Sequence, residues 1–261
     1  MERFARLYAE LDATTATGDK VAALRCYFAE APAADAAWAA YFLAGGKPRQ
    51  LVPTGLLRAL ACEVARIPDW LFEESYQAVG DLAETIALVL PPSPGASTLG
   101  LAEWVEQRLL PLRGQPPALQ AERIAAQWQE LDTAGRFLLV KLIGGGFRVG
   151  VSKLLVQRAL AEHAGIDPKQ VAQRMMGYTD AGTAPTPERF AQLVSPEPLP
   201  AADAGQPYPF FLAHALDQPP ERFDELLGPP RSGWWNGSTT ASAPRWCGAP
   251  VGCGCGRAAR S

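Results

Sequence analysis

The sequence predicts an all-α fold, and three observations support that prediction. Before residue 195, apolar residues recur at three- and four-residue spacing in nearly every segment, which is the period of one buried helix face. Proline and glycine separate these segments, as is typical of helix ends. No segment before residue 207 alternates apolar and polar residues as a half-buried strand does.

The first three helices follow from this pattern. Residues 1–11 place their apolar side chains on one face. A second helix runs to about Ala31, with Thr17 or Asp19 as a possible N-terminal cap. The third, "PAADAAWAAYFLAGG", is expected to end at Gly45–Gly46.

The next four helices are marked by similar boundaries. Thr54 is expected to cap "GLLRALACEVARI". The stretch "PDWLFEESYQAVGDLAETIALVLPP" predicts two helices that meet near Gly80 and end at Pro91–Pro92. "LAEWVEQRLLPLR" predicts one continuous helix.

Five helices complete the predicted bundle. Two lie at about 117–131 and 133–143, followed by three glycines, and "VSKLLVQRALAEHAG" forms the next. Asp167–Pro168 and Thr186–Pro187 are each expected to open a helix as cap and first residue. A Pro-rich linker follows at 196–209, after which "YPFFLAHAL" is a possible first strand.

Charge is distributed unevenly along the 261 residues. The formal net charge is −3, but residues 231–261 carry four arginines and no acid, which leaves −7 on residues 1–230. Residues 136–174 are locally basic, with seven Lys or Arg against two acids. The acidic remainder argues mildly against a protein that coats itself in nucleic acid, whereas the basic segment is suited to a local contact.

The compartment is predicted from the cysteines and the hydropathy pattern. Cys26 and Cys62 lie within apolar helical patterns and are expected to be buried free thiols of a reducing environment. No signal-peptide pattern and no run of about 18 apolar residues is present. We therefore expect a cytoplasmic protein that does not span a membrane.

The tryptophans and carboxylate pairs are predicted to be structural. Trp38, Trp70, Trp104 and Trp128 stand at apolar helical positions and are expected to lie in the core rather than stack on bases. Acidic pairs such as Glu73–Glu74 are typical of a solvated helix face. No catalytic residue is predicted in this chain.

The most informative segment is "KLIGGGFRVGVSKLLVQRAL", residues 141–160. Its glycines let backbone approach a ligand closely, and the amides of Gly150, Val151 and Ser152 fall at a helix N-terminus, where a phosphate is favoured. Arg148 and Lys153 add positive charge. The pattern indicates backbone-directed DNA contact, with a tightly packed helix–loop–helix corner as the alternative.

This segment resembles the Gly/Arg-rich loop in the N-terminal DNA-binding domain of ATP-dependent DNA ligases. "FARLYAELDATTATGDKVAALRCYF", "LFEESYQAVGDLAETIALVLPP" and "LAEWVEQRLLPLRG" resemble bacterial members of the same family, and the likeness covers about residues 1–230. The resemblance implies an all-α, multi-helix domain that grips nicked duplex through the minor groove and phosphates. It also implies a role in nick sealing during DNA replication, repair and recombination.

The resemblance also implies the contact residues. Gly145, Gly146, Arg148, Gly150 and Ser152 fall on the family's contact positions, although Gly146 stands where some relatives carry a second arginine. To these we add the basic neighbours of the segment, which are Lys141, Lys153 and Arg158. The predicted partner is duplex or nicked DNA, and the chain is expected to be a monomer.

The C-terminal tail departs from the family. Relatives place the lysine that takes AMP from ATP in a motif like E-W-K-x-D-G-I-R-A-Q shortly after the sequence "PYPFFLAHAL", whereas the last lysine here is Lys169. Back-translation of Trp234 to Arg245 in the shifted frame permits V-E-W-K-Y-D-G-I-R-A-Q. We therefore expect residues 210–230 to be the start of a nucleotidyltransferase domain, and 231–261 to be a frameshifted, disordered tail.

A metal site in the tail is the weaker interpretation. Cys247, Cys253 and Cys255 lack a fourth ligand, and structural zinc usually takes four. No metal or cofactor is expected in this chain, although the resemblance implies ATP and Mg²⁺ for intact relatives. The predicted function is DNA binding by a helical domain over 1–195, without ligation; the alternative is a helical protein-interaction domain that binds no DNA.

Overall fold

The computed structural model describes residues 1–47, 51–93, 95, 97–144, 149–180, 182 and 184–197. One compact unit spans Met1–Pro196, and a second unit begins at Glu197. The predicted contact residues Gly145, Gly146 and Arg148 lie outside the described residues. So do most of the predicted linker, the predicted nucleotidyltransferase start and the whole tail from residue 231.

The all-α prediction is confirmed, since the described residues form helices and no strand. The first six helices are α1 (Glu2–Ala13), α2 (Thr17–Glu30), α3 (Ala33–Leu43), α4 (Thr54–Ala65), α5 (Asp69–Val79) and α6 (Leu82–Val89). The remaining α-helices are α7 (Leu101–Glu103), α8 (Pro117–Glu130), α9 (Thr133–Gly144), α10 (Lys153–Ala164), α11 (Pro168–Arg174) and α12 (Pro187–Val194).

Several helix ends form as their local sequence predicts. The side chains of Asp167 and Thr186 accept hydrogen bonds from backbone amides in the first turns of α11 and α12. Gly80 and Gly165 end α5 and α10 with φ of 79° and 67°. That left-handed conformation costs glycine little because it has no Cβ.

Three local predictions are wrong. Thr54 does not cap α4, because it is the first residue of that helix and the cap position is Pro53, without a side-chain hydrogen bond. Neither Thr17 nor Asp19 caps α2, whose cap position is Ala16 without a side-chain hydrogen bond. The predicted helix over "LAEWVEQRLLPLR" is short as an α-helix and continues as a π-helical segment, Trp104–Leu109, and a 3₁₀ turn, Leu110–Leu112. Pro111 has no N–H to donate to the preceding turn, so a regular α-helix cannot continue through it.

The core brings the N-terminal helices against the C-terminal ones. Helix α2 packs against α10, α6 against α9 and α12 against α3. Leu24 and Phe28 of α2, and Val156 and Leu160 of α10, are buried in a single apolar cluster. The start of α10 is therefore held by a helix that lies more than a hundred residues earlier in the chain.

Two burial predictions are corrected by the structure. Trp38, Trp104 and Trp128 are buried as expected, but Trp70 is 66% exposed, because it lies about 200° around α5 from the buried Phe72 and so is on the opposite face. Cys62 is buried, whereas Cys26 is exposed. Cys26 lies about 200° around α2 from the buried Leu24, so it is on the opposite face.

Candidate nucleic-acid interface

The start of α10 is a helix N-terminus with a neutral cap. The hydroxyl of Ser152 accepts a hydrogen bond from the amide of Leu155 at 3.3 Å. Just before it, Gly150 adopts φ +60° and is exposed. Among the described residues, no acceptor is found for the amides of Gly150, Val151 and Ser152. The backbone here is thus free to donate to an anion, which the dipole of α10 also favours.

A buried lysine lies beneath this helix start. Lys20 of α2 is only 6% exposed, and its ammonium donates to the carbonyl of Val149 at 2.7 Å and to that of Gly150 at 3.3 Å. Sequence reasoning did not find this residue. A signal was present, since Lys20 stands four residues before Leu24, on the buried face of α2.

Lys153 is the predicted basic residue that lies at the helix start. It is the first residue of α10 and is exposed. Its ammonium lies 3.4 Å from the carbonyl of Met175, at the end of α11. That carbonyl is neutral, so the contact leaves the charge of Lys153 uncompensated and available to a phosphate.

Lys141 is placed elsewhere and is paired with a carboxylate. It forms an ion pair with Asp81, the N-cap of α6, and its side chain is 15% exposed. Its ammonium also lies 5.2 Å from the ring centre of Phe137. Burial favours a raised pKa for Asp81, but hydrogen bonds from Lys141 and from two backbone amides, together with the charge of Lys141, hold that pKa below its usual value.

Arg158 is likewise engaged within the protein. Its guanidinium donates to the carboxylate of Glu162 at 2.8 Å, one turn along α10, and Arg25 of α2 lies 3.9 Å from the same carboxylate. Lys153 and Arg158 lie five residues apart, so they project about 140° apart around the helix. Lys153 and Arg158 therefore do not share one face of α10.

Arg136 does not contribute to a basic surface at all. It is 1% exposed, and it donates to the carbonyls of Trp128 and Pro91, each at 2.6 Å. The net charge of residues 136–174 therefore overstates the charge at the surface, because the buried Arg136 joins the last turn of α8 to the segment that follows α6.

Other kinds of site find no support in the described part of the chain. No group of three or more His, Cys, Asp or Glu side chains there is arranged to hold a metal ion. A cavity of about 590 Å³ is lined by residues including Arg3, Asp35 and Glu103, and none of the predicted contact residues lines it. No described helix combines the length and the apolar character that crossing a membrane requires.

Comparison with known families settles the relationship of the chain. A sequence model of the family described as DNA ligase N terminus matches residues 1–161. The chain belongs to the DNA ligase N-terminal family. The resemblance to the N-terminal domain of ATP-dependent DNA ligases is therefore confirmed, and with it a DNA ligase-related role. No curated protein matches the chain.

The family match covers every element of the candidate site. It includes α1 to α9 and α10 as far as Ala161, and so contains Lys20, Gly150 and Lys153. Helices α11 and α12 lie beyond the match but belong to the same compact unit of this ligase domain, where α11 packs on α10 and α12 on α3.

Proposed function

We propose that this ligase domain binds duplex DNA, nicked or intact, through the corner between α9 and α10, and that the chain does not itself seal nicks. The observation that carries the proposal is the open N-terminus of α10, where free amides, a neutral cap and Lys153 meet at an exposed glycine. Family membership supports DNA as the source of the phosphate.

The chemistry of the corner favours phosphate over base edges. Backbone amides at a helix N-terminus, and a lysine in its first turn, both bind anions without regard to sequence. Arg148, proposed from the sequence to enter the groove, would read its width and potential rather than a base pattern. We therefore expect binding that is similar for all duplex sequences.

Fluorescence anisotropy with nicked and intact duplexes at several salt concentrations tests the proposal. Four cationic contacts would give a log–log salt slope of about −3.6. Because Lys141 and Arg158 are paired with carboxylates, we expect two such contacts, from Arg148 and Lys153, and a slope of about −2.

Single substitutions locate the interface. Arg148→Ala is expected to weaken binding to every duplex by a similar factor, and Arg123→Ala, which removes an exposed charge from α8, is the matched control. If the wild-type chain binds neither duplex at low salt, or if Arg148→Ala binds like wild type, the role assigned to this corner is wrong.

The proposed absence of ligation rests on the missing lysine motif. Lys169 is the last lysine, and covalent transfer of AMP requires an activated nucleophile. Incubation of the 261-residue chain with labelled ATP and Mg²⁺ is expected to give no covalent protein–AMP band, and such a band would contradict the proposal. The monomeric state and the cytoplasmic location stay predictions, the first of which gel filtration tests.

A protein-interaction domain is the second candidate, and one observation favours it. Trp70 and Leu71 are adjacent on α5 and are 66% and 38% exposed. Exposed aromatic side chains are common at protein interfaces. If no duplex binds, this surface becomes the leading candidate site, and Trp70→Ala is the variant that tests it in binding assays with candidate protein partners.

A further inference from the structure

Lys20 occupies a position that packing alone does not explain. It lies on the buried face of α2 with Val21 and Leu24, where an apolar residue would be ordinary. Within the described residues, no carboxylate lies within 4 Å of its ammonium, so its charge is balanced only by two carbonyl dipoles. Burying such a charge is costly.

The two carbonyls that Lys20 holds determine where the neighbouring amides point. In a planar trans peptide, the C=O and the following N–H point in opposite directions. The carbonyls of Val149 and Gly150 point inward to Lys20. The amides of Gly150 and Val151 therefore point away from it, on the side where Gly150 and Ser152 are exposed.

Gly150 and Lys20 depend on each other sterically. A Cβ placed on Gly150 would lie 2.7 Å from the Lys20 ammonium, and φ at Gly150 is +60°. A side chain at this position would push the ammonium off its carbonyls as well as straining the backbone. The glycine thus permits the ammonium to approach, and the ammonium fixes the direction of the peptides on either side of the glycine.

We propose that Lys20 is a positioning residue for the phosphate site at the start of α10. It orients the amides of Gly150 and Val151 towards a DNA phosphate and places an uncompensated positive charge behind them. The proposal rests on the proposed function, since the phosphate belongs to DNA. Lys20 itself is buried and does not contact the phosphate.

The first test measures DNA binding by Lys20→Met, which removes the charge and keeps an unbranched side chain of nearly the same length. Affinity for nicked duplex at low salt is expected to fall about tenfold, a typical loss when a charged hydrogen-bonding group is removed. The salt slope is expected to stay unchanged, because a buried lysine releases no counterion from the DNA. Lys169→Met, which removes an exposed lysine from α11, is the matched control and is expected to bind like wild type.

The second test needs no DNA. Amide hydrogen exchange of Leu155 and Val156, which donate to the carbonyl of Ser152 at the start of α10, is expected to accelerate in Lys20→Met, because the carbonyls of Val149 and Gly150 lose the donor that holds this helix start, while exchange in α8 stays unchanged. Lys20→Gln, which retains a neutral donor, is expected to be intermediate in both tests. It also serves as the second variant if Lys20→Met does not fold.

The outcomes separate this inference from the proposed function. Three results would each overturn the positioning role: Lys20→Met binds like wild type, its salt slope falls by about one, or exchange at Leu155 and Val156 is unchanged. If both Lys20 variants are unfolded at the assay temperature, Lys20 is a stability residue and the role is also overturned. If the wild-type chain binds no duplex, the proposed function fails and the phosphate-directed role fails with it, whereas the exchange test still decides whether Lys20 holds the corner.

Discussion

The N-termini of α6 and α10 differ in the charge of the side chain that accepts hydrogen bonds from their first backbone amides. At α6 the carboxylate of Asp81 accepts hydrogen bonds from the amides of Ala83 and Glu84 at 2.9 and 3.0 Å, and it also pairs with Lys141. At α10 the cap is the neutral hydroxyl of Ser152, and the nearby charges are positive. The carboxylate of Asp81 thus supplies a negative charge at the N-terminus of α6, whereas no described carboxylate does so at the N-terminus of α10.

The difference shows that basic residues near a helix start do not by themselves make an anion site. Lys141 lies close to α6, but Asp81 already neutralises it, and the lowered pKa of Asp81 reflects that pairing. Lys153 and Lys20 have no such carboxylate within 4 Å among the described residues. An incoming phosphate would find positive potential at α10 and a filled site at α6.

The largest change in DNA affinity is expected when α10 is given an acidic N-cap like that of α6. Ser152→Asp is expected to lower duplex affinity by ten- to a hundredfold, on the order of 1.4–2.8 kcal/mol, because a carboxylate then occupies the phosphate position. Helix stability should be kept or improved, since Asp is a good N-cap and suits the dipole. Anisotropy and thermal unfolding measure the two effects separately.

Ser152→Asn is the matched control for this substitution. It caps as well as Asp but carries no charge, so its affinity should stay within about threefold of wild type. Equal binding by Ser152→Asp and the wild-type chain would mean that no phosphate reaches the start of α10.

A smaller effect is expected from filling the space at Gly150. Gly150→Ala should weaken DNA binding about tenfold, because the new Cβ displaces Lys20. Gly165→Ala is the matched control. Gly165 has a similar φ of +67°, but nothing lies within 4 Å of its Cβ position. Both variants should lose about 1 kcal/mol of unfolding free energy to backbone strain, with DNA affinity lost only at Gly150.

If the two alanine variants lose affinity equally, strain rather than Lys20 controls the corner. DNA affinity of the double variant Lys20→Met/Gly150→Ala tests whether the two changes act through the same contact. When both changes act through the same contact, the double variant should lose less affinity than the product of the two single losses.

The smallest effect on DNA affinity is expected at the N-terminus of α6, where Asp81 is the cap and pairs with Lys141. The pKa of Asp81 is lower when folded than when unfolded, so its stabilisation is present above the unfolded value of about 3.9 and is lost as pH falls through the folded value. Asp81→Asn should remove this acid-dependent loss and cost about 0.5 kcal/mol at neutral pH, as is typical of partly exposed ion pairs.

Urea unfolding of Asp81→Asn and the wild-type chain at several pH values measures the difference. DNA affinity at neutral pH should change less than twofold, because Lys141 is not expected to contact DNA. A wild-type chain whose stability falls no faster with acid than that of Asp81→Asn would exclude the ion pair as the source of the lowered pKa.

Local features of this fold could be predicted from the sequence, because short-range chemistry determines them. Asp167 and Thr186 cap the helices that follow them, and Gly80 and Gly165 end the helices that precede them, each within a few residues. The start of α10 at residues 150–153 was found for the same reason.

Contacts between distant residues were not predictable in this way. The pairing of Lys141 with Asp81 joins residues 60 apart, and the hydrogen bond from Lys20 to Val149 joins residues 129 apart. Hydrophobic spacing identifies an apolar face but not whether a neighbouring helix covers it, which is why Trp70 was expected in the core. The basic segment was therefore overestimated as a surface, and its buried lysine was missed.

The contact between Lys20 and Val149 also affects when the corner is completed during synthesis. Helix α2 leaves the ribosome early, but its partners at the start of α10 follow only after another 129 residues. At about 5–20 residues per second, that interval is on the order of ten seconds. Closing so long a loop carries an entropic cost that the nascent chain meets only once α10 has emerged. In the role proposed for Lys20, the amides at the start of α10 are therefore oriented only after most of the domain has been synthesised.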